Sequence, residues 1–245
     1  MDPNIISNPE KSREFDEELS LAHLLVKNLT KAGDKILLIS GISAEELTAK
    51  DLLAKAIQVA KSLKFNGVQP HDVVSIVCEN RFEFAYVLFG CILNNTTFAP
   101  CNLTYSEREL THGLTLSKPK ILFTSSFASD RVVTVAKSLN FIQKVVLIND
   151  ENPYGNSVEL FSDFINSPAA QKATYIAEPV DKSKTVSLIL CSSGTTLTPN
   201  SSKDRPKTLD CNFRYHGITK RSFIKSKQPH CCKCSWNNQM FFFAL

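Results

Sequence analysis

"TVSLILCSSGTTLTPN", residues 185–200, opens as a run of apolar and β-branched residues and then turns into small hydroxyl residues around one glycine. An apolar run of about six residues without a 3.6-residue period suits a strand buried on both faces. Hydroxyl residues at its carboxyl end suit a loop whose N–H groups and oxygens can gather around an anion. The same string also fits an ordinary polar turn, and the Gly-Lys-Ser/Thr ending of a Walker loop is absent. What precedes the loop decides between the two.

Working back from it, "KVVLIN" (144–149), "KILFTS" (120–125), "DVVSIVC" (72–78) and "KILLIS" (35–40) are short apolar runs of the same kind. Helical patterns fill the intervals. Leucines and Val26 recur at helical spacing over Glu18–Lys31, and Leu52, Leu53, Ala56, Ile57, Ala60 and Leu63 draw one apolar stripe ending near Asn66-Gly67. Thr48 with Asp51, and Ser106 with Glu109, have the spacing of N-terminal caps, the second opening a helix to about Leu116. Arg81–Leu93, Arg131–Leu139 and Val158–Ile165 complete the predicted helices, and 149–181 reads as the least regular stretch. Strands alternating with helices predict the α/β class, built from parallel βαβ units. In such sheets ligands sit beyond the carboxyl ends of the strands, where the hydroxyl-rich loop lies.

Composition sets the outer limits. The chain has 245 residues, 43% of them hydrophobic, enough for a substantial core. Its amino terminus, "MDPNIISNPEKSREFDEELS", is polar and acidic, unlike a secretory leader. The longest apolar run, "FAYVLFGCIL" (84–93), falls well short of the roughly 20 residues of a membrane span, so an intracellular protein is expected. Eight cysteines in that setting read as reduced thiols. Cys78, Cys91, Cys101 and Cys191 read as small apolar core residues; His112 reads as lying on a helix surface and His23 and His71 as without sequence partners, all three structural.

The net charge of +4 conceals a division. Up to Thr196 there are 19 Lys+Arg against 22 Asp+Glu, whereas Leu197–Leu245 has 9 against 2, with four of the eight cysteines. The expected organisation is an N-terminal extension (1–18), an α/β region (19–196) and a basic, Cys-rich tail (197–245) without regular structure. In that tail Cys211, His216, His230, Cys231, Cys232 and Cys234 depart from the Cys-x2-4-Cys pairing of structural zinc sites, so no metal site is expected. Zinc or nucleic-acid binding through the tail stays as a lesser alternative.

"VVSIVCENRFEF", "FAPCNLTYSERELTHGLTLSKPKILFTS", "FIQKVVLIND" and "DKSKTVSLILCSSGTT" resemble, in order and spacing, the adenylate-forming AMP-dependent synthetase/ligase superfamily. Their texture is most similar to insect luciferase-like acyl-CoA synthetases and 4-coumarate-CoA ligases. The resemblance covers about Leu19–Thr196. It implies an acid-thiol ligase that activates a carboxylic acid with ATP and magnesium as acyl-AMP and passes the acyl group to coenzyme A, often in peroxisomes. Ser192, Ser193, Gly194, Thr195 and Thr196 then correspond to the first half of the ATP phosphate loop.

The second half departs from the family's Gly-x-Pro-Lys-Gly. Leu197 stands for the first glycine, Asn200 for the lysine and Ser201 for the last glycine; only Pro199 matches. The family's later motifs for adenine, ribose and the catalytic lysine have no counterpart in Leu197–Leu245, so no catalytic residue is assigned. The expectations are a chain truncated within the loop, an incomplete N-terminal portion of the domain that does not complete adenylation, and a tail arising from a frame or splice change. A non-catalytic partner of a full-length relative is the alternative. In the family the sheet begun around Lys35–Ser40 is completed by strands after the loop, so the helix at Ala49–Leu63 would lack part of its packing surface, and the exposed apolar patch would favour self-association. Residues 240–245, "MFFFAL", lack a Ser-Lys-Leu type signal, which points to the cytosol.

Overall fold

A computed structural model of the chain describes residues 20–172, 174–177, 185–193 and 211–215. Helix α1 (Leu21–Ala32) starts where the Ser20 side chain accepts from the His23 N–H, and it stops at Gly33. Strands β1 (Ile36–Ile39) and β2 (Glu46–Thr48) form an antiparallel ribbon. Thr48 then caps α2 (Ala49–Phe65), its Oγ1 accepting from the Asp51 N–H at 3.1 Å. Gly67, at φ 74°, turns the chain out of this helix in a conformation that glycine adopts without strain.

The βαβ alternation follows: β3 (Val73–Val77), α3 (Phe82–Leu93), β4 (Thr97–Pro100), α4 (Glu107–Ser117), β5 (Ile121–Ser125), α5 (Ser129–Ser138) and β6 (Lys144–Ile148). Next come β7 (Glu159–Leu160), α6 (Phe161–Asn166), α7 (Pro168–Gln171), β8 (Ile189–Ser193) and β9 (Cys211–Tyr215). The central sheet has the order β4-β3-β5-β6-β7, parallel throughout. The approach to β8 extends it beyond β4, because Phe98 N–H donates to the Ser187 carbonyl at 3.0 Å and Leu188 bridges Phe98 in parallel. Thr97 Oγ1 adds a 2.7 Å bond to the Val186 carbonyl.

Both faces of the sheet are covered. Val74, Ile76, Phe98, Phe123 and Val146 pack with Val59, Leu63 and Phe164 on the side of α2, α3 and α6. Leu122 and Leu147 pack with Leu110, Leu114 and Val132 on the side of α4 and α5. Two-sided burial is why the central strands read as unbroken apolar runs. Phe123 meets Phe164 edge to face at 5.4 Å, and Phe84 meets Phe98 likewise at 5.3 Å. Helices α2 and α3 approach so closely that a Cβ on Gly90 would lie 2.5 Å from Val59 Cγ1.

The structure corrects the sequence reading in several places. Val158–Ile165 is not one helix: Glu159-Leu160 pairs with Val146-Leu147 as β7 before α6 begins. Strand β4, four residues ending in Pro100, was unforeseen because it is too short to show a period. Of the apolar run at residues 185–190, only Ile189 and Leu190 belong to β8, which continues through Ser193. Of residues 197–245 the structure describes only Cys211–Tyr215, which forms β9 and pairs antiparallel with β8. There Cys211, Phe213 and Tyr215 alternate with Asn212 and Arg214, a period of two. Residues 1–18, 197–210 and 216–245 lie outside the described residues, as do His216, His230, Cys231, Cys232 and Cys234. Among the described residues no helix is long and apolar enough to cross a membrane.

Candidate site at the carboxyl ends of the strands

Because the central strands are parallel, their carboxyl ends share one side of the sheet. Strand β8 ends there with Ser192 and Ser193, while Gly194, Thr195 and Thr196 lie outside the described residues. The Thr97 and Phe98 bonds to residues 186 and 187 fix where this strand enters. The two serines are thus the last residues of a strand rather than the start of a free loop, opposite Asn212 and Cys211 of β9.

Farther along the same side lies a polar cluster with no role assigned from the sequence. Arg81, at the N-cap of α3, donates from Nε to Glu83 Oε2 at 2.7 Å and from Nη2 to Glu83 Oε1 at 3.1 Å. Its Nη1 donates to Glu79 Oε1 at 3.1 Å and to the Ile148 carbonyl at 3.5 Å. Ser125 Oγ closes the group by donating to Glu79. Burial disfavours the charged guanidinium, but the Glu83 bonds and the charges of Glu83 and Glu79 outweigh it and raise the Arg81 pKa. Each Arg81 bond is charge-assisted, and the pair with Glu83 is bidentate. The cluster joins the ends of β3, β5 and β6, so its carboxylates brace the sheet rim. A sequence signal existed in "ENRFE", where one arginine sits two residues from each of two acids, but Ser125 and Ile148 join it only through the fold.

Other titratable groups do not converge on the rim. Burial raises the pKa values of Cys78 and Cys91, so both remain thiols. Burial, then nearby carboxylates led by Glu83, pushes Tyr86 up to about 12. His23 has a partner after all, Nδ1 lying 2.7 Å from Ser20 Oγ, while His71 and His112 are exposed. Among the described residues no group of three or more His, Cys, Asp or Glu side chains could hold a metal ion. A cavity of about 220 Å³ between the ends of α2 and α3 and Tyr175 lies where those helices lead into β3 and β4, at the opposite ends of the strands from Ser192 and Ser193.

Residues 25–199 match the family model described as AMP-binding enzyme. A luciferin 4-monooxygenase from Nipponoluciola cruciata is 27% identical over 203 residues, which is 81% of this chain and 37% of that protein. A 4-coumarate–CoA ligase from Petroselinum crispum is 25% identical over 134 residues, 55% of this chain and 24% of its own length. Among solved structures, a red-emitting luciferase from Phrixothrix hirtus superposes with a TM-score of 0.67 at 26% identity, over 77% of this chain and 46% of that one. The chain thus spans less than half the length of each of these relatives.

Proposed function

The chain belongs to the AMP-binding enzyme family, and from that premise we propose that the loop leaving β8 through Ser192, Ser193, Gly194, Thr195 and Thr196 receives the phosphates of ATP. The observation that supports this most is positional. The approach to β8 is tied to β4, so β8 ends with Ser192 and Ser193 at the carboxyl side of the parallel sheet. There, small side chains let several N–H and O–H donors reach one oxygen cluster.

The reaction class is the two-step ligase chemistry of the resemblance. A carboxylate oxygen attacks the α-phosphorus of ATP, the α–β phosphoanhydride breaks, and pyrophosphate leaves as acyl-AMP forms. The thiol of coenzyme A then displaces AMP. Within this scheme this chain binds Mg-ATP but does not complete adenylation. Asn200 offers a neutral amide where the family loop carries lysine, and hydrogen bonds with a charged donor are roughly twice as strong as neutral ones.

ATP–pyrophosphate exchange with mixed fatty and aromatic carboxylic acids tests this, beside equilibrium Mg-ATP binding. The expected result is binding without acid-dependent exchange, with tighter binding in Asn200→Lys. Acid-dependent exchange would overturn the inactivity, and absence of binding would overturn the site. A second reading, association with another copy or a full-length relative, is favoured by the β1–β2 ribbon, where Ile36, Ile39 and Ile42 are exposed. Co-purification with a relative would support that reading.

A further inference from the structure

The cavity at the amino ends of the strands takes no part in the site at their carboxyl ends. Ala60 of α2, Leu93 of α3 and Ala170 of α7, all buried, form its apolar floor. Its walls are anchored. Gln171 Nε2 donates to the Gln58 carbonyl at 3.2 Å and to the Ile165 carbonyl at 2.9 Å, which holds α7 against α2 and α6. The Tyr175 hydroxyl donates to the Leu93 carbonyl at 3.0 Å and ties the far wall to the end of α3. Phe65 and Ile176 also line the cavity and are 58% and 74% exposed, so apolar surface continues from floor to rim. Lys61 and Lys64, three residues apart and thus on one side of α2, line it as well, whereas among the described residues no aspartate or glutamate does. Lys61 Nζ donates to the Gln171 carbonyl at 3.3 Å, a bond that engages one of its three N–H groups and leaves its positive charge unneutralised.

We propose that this cavity binds a small amphiphilic anion, its charged head at Lys61 and Lys64 and its compact apolar body between the floor and the exposed Phe65 and Ile176. Both halves of the guest are required. A neutral apolar molecule would cover the ammonium groups without pairing them, and a bare inorganic anion would leave the apolar lining in water. The volume of about 220 Å³ sets the size. It falls below the roughly 300–1,000 Å³ of drug-sized sites and above the ~150 Å³ that encloses benzene, so the body is a short alkyl chain or a single ring. Ser192 and Ser193 lie at the opposite ends of the strands, and the cavity site stands whether or not the proposed phosphate loop binds ATP.

Octanoate is the probe, with octanol and acetate standing for its two halves. Calorimetric titration of the full chain should show saturable octanoate binding, about fivefold or more tighter than octanol, and no saturation by acetate. Hydrogen exchange should slow on octanoate binding over residues 60–65 and 174–177. Lys61→Gln with Lys64→Gln, which keeps a similar helix propensity, should weaken octanoate about fivefold or more and leave octanol unchanged. Ala169→Trp, at an exposed lining position, should fill the opening and abolish binding of both. Absence of saturable octanoate binding overturns the site. Octanol or acetate binding as tight as octanoate, or octanoate binding unchanged in the lysine variant, overturns the amphiphilic recognition. Octanoate binding that survives Ala169→Trp overturns the location. If a variant loses its helical circular dichroism, the unaltered chain decides: octanoate must slow exchange over residues 60–65 and 174–177, and unchanged exchange there overturns the proposal.

Discussion

Ser106 shows how much one side chain can decide. Its Oγ accepts from the Glu109 N–H at 3.4 Å while Glu109 Oε2 accepts from the Ser106 N–H at 2.9 Å, so the first turn of α4 is closed reciprocally. Ser106→Ala should cost about 1 kcal/mol in denaturant unfolding at neutral pH. The backbone bond from Ser106, then its hydroxyl bond, lowers the Glu109 pKa. A carboxylate depressed in the fold stabilises above its unfolded pKa, and that contribution is lost as pH falls through the folded value. The difference between wild type and variant should therefore shrink on acidification below the ordinary glutamate range; an unchanged difference would refute the reciprocal cap. Arg81 sets a different case, since Arg81→Met leaves Glu79 and Glu83 half-buried beside each other without their shared cation. With allowance for solvent screening, a loss of about 1–2 kcal/mol is expected from chemical denaturation. Glu83→Gln, which keeps an acceptor for the guanidinium, should cost less.

At the level of elements, the contact of α2 with α3 depends on the absence of a side chain at Gly90. A Cβ there would sit 2.5 Å from Val59 Cγ1, 2.7 Å from Val59 Cβ and 3.2 Å from the Ala56 carbonyl oxygen. Gly90→Ala should destabilise by about 1–3 kcal/mol through overpacking despite alanine's better helix propensity. Val59→Ala in the same chain should recover part of that loss, and a thermal-melt double-mutant cycle reads the coupling. Such a crossing is invisible in sequence, where Gly90 is simply a glycine within an apolar run. Strands β3, β5 and β6 were legible because burial on both faces leaves an uninterrupted apolar signature. Strands β4 and β7 were not, because two to four residues cannot display a period, and β9 was not, because it lacks an apolar run and pairs with a strand distant in the chain. The site divides in the same way. The hydroxyl string was readable as composition, but the Arg81 cluster required β5 and β6 to bring Ser125 and Ile148 to it.

For the whole molecule, the decisive contrast is between a central sheet covered on both faces and a ribbon that is not. Ile36, Ile39 and Ile42 are 44%, 56% and 81% exposed, although the same ribbon buries Leu38 and Leu47 against α1 and α2. The register shift between Ile36 and Leu38 breaks simple alternation and leaves Ile36 and Ile39 both facing outward. Apolar side chains next to unpaired strand edges attract other chains, and a lysine on such an edge opposes pairing by requiring its charge to be desolvated. Light scattering across a concentration series should therefore show a mass above that of one chain. Ile36→Lys with Ile39→Lys should return it toward the monomer. Leu116→Lys, at an exposed leucine on α4, supplies the control for added charge and should leave association unchanged. A concentration-independent monomer in the unaltered chain would remove the case for the ribbon as a contact surface. An equal effect of all the lysine substitutions would assign association to net charge instead.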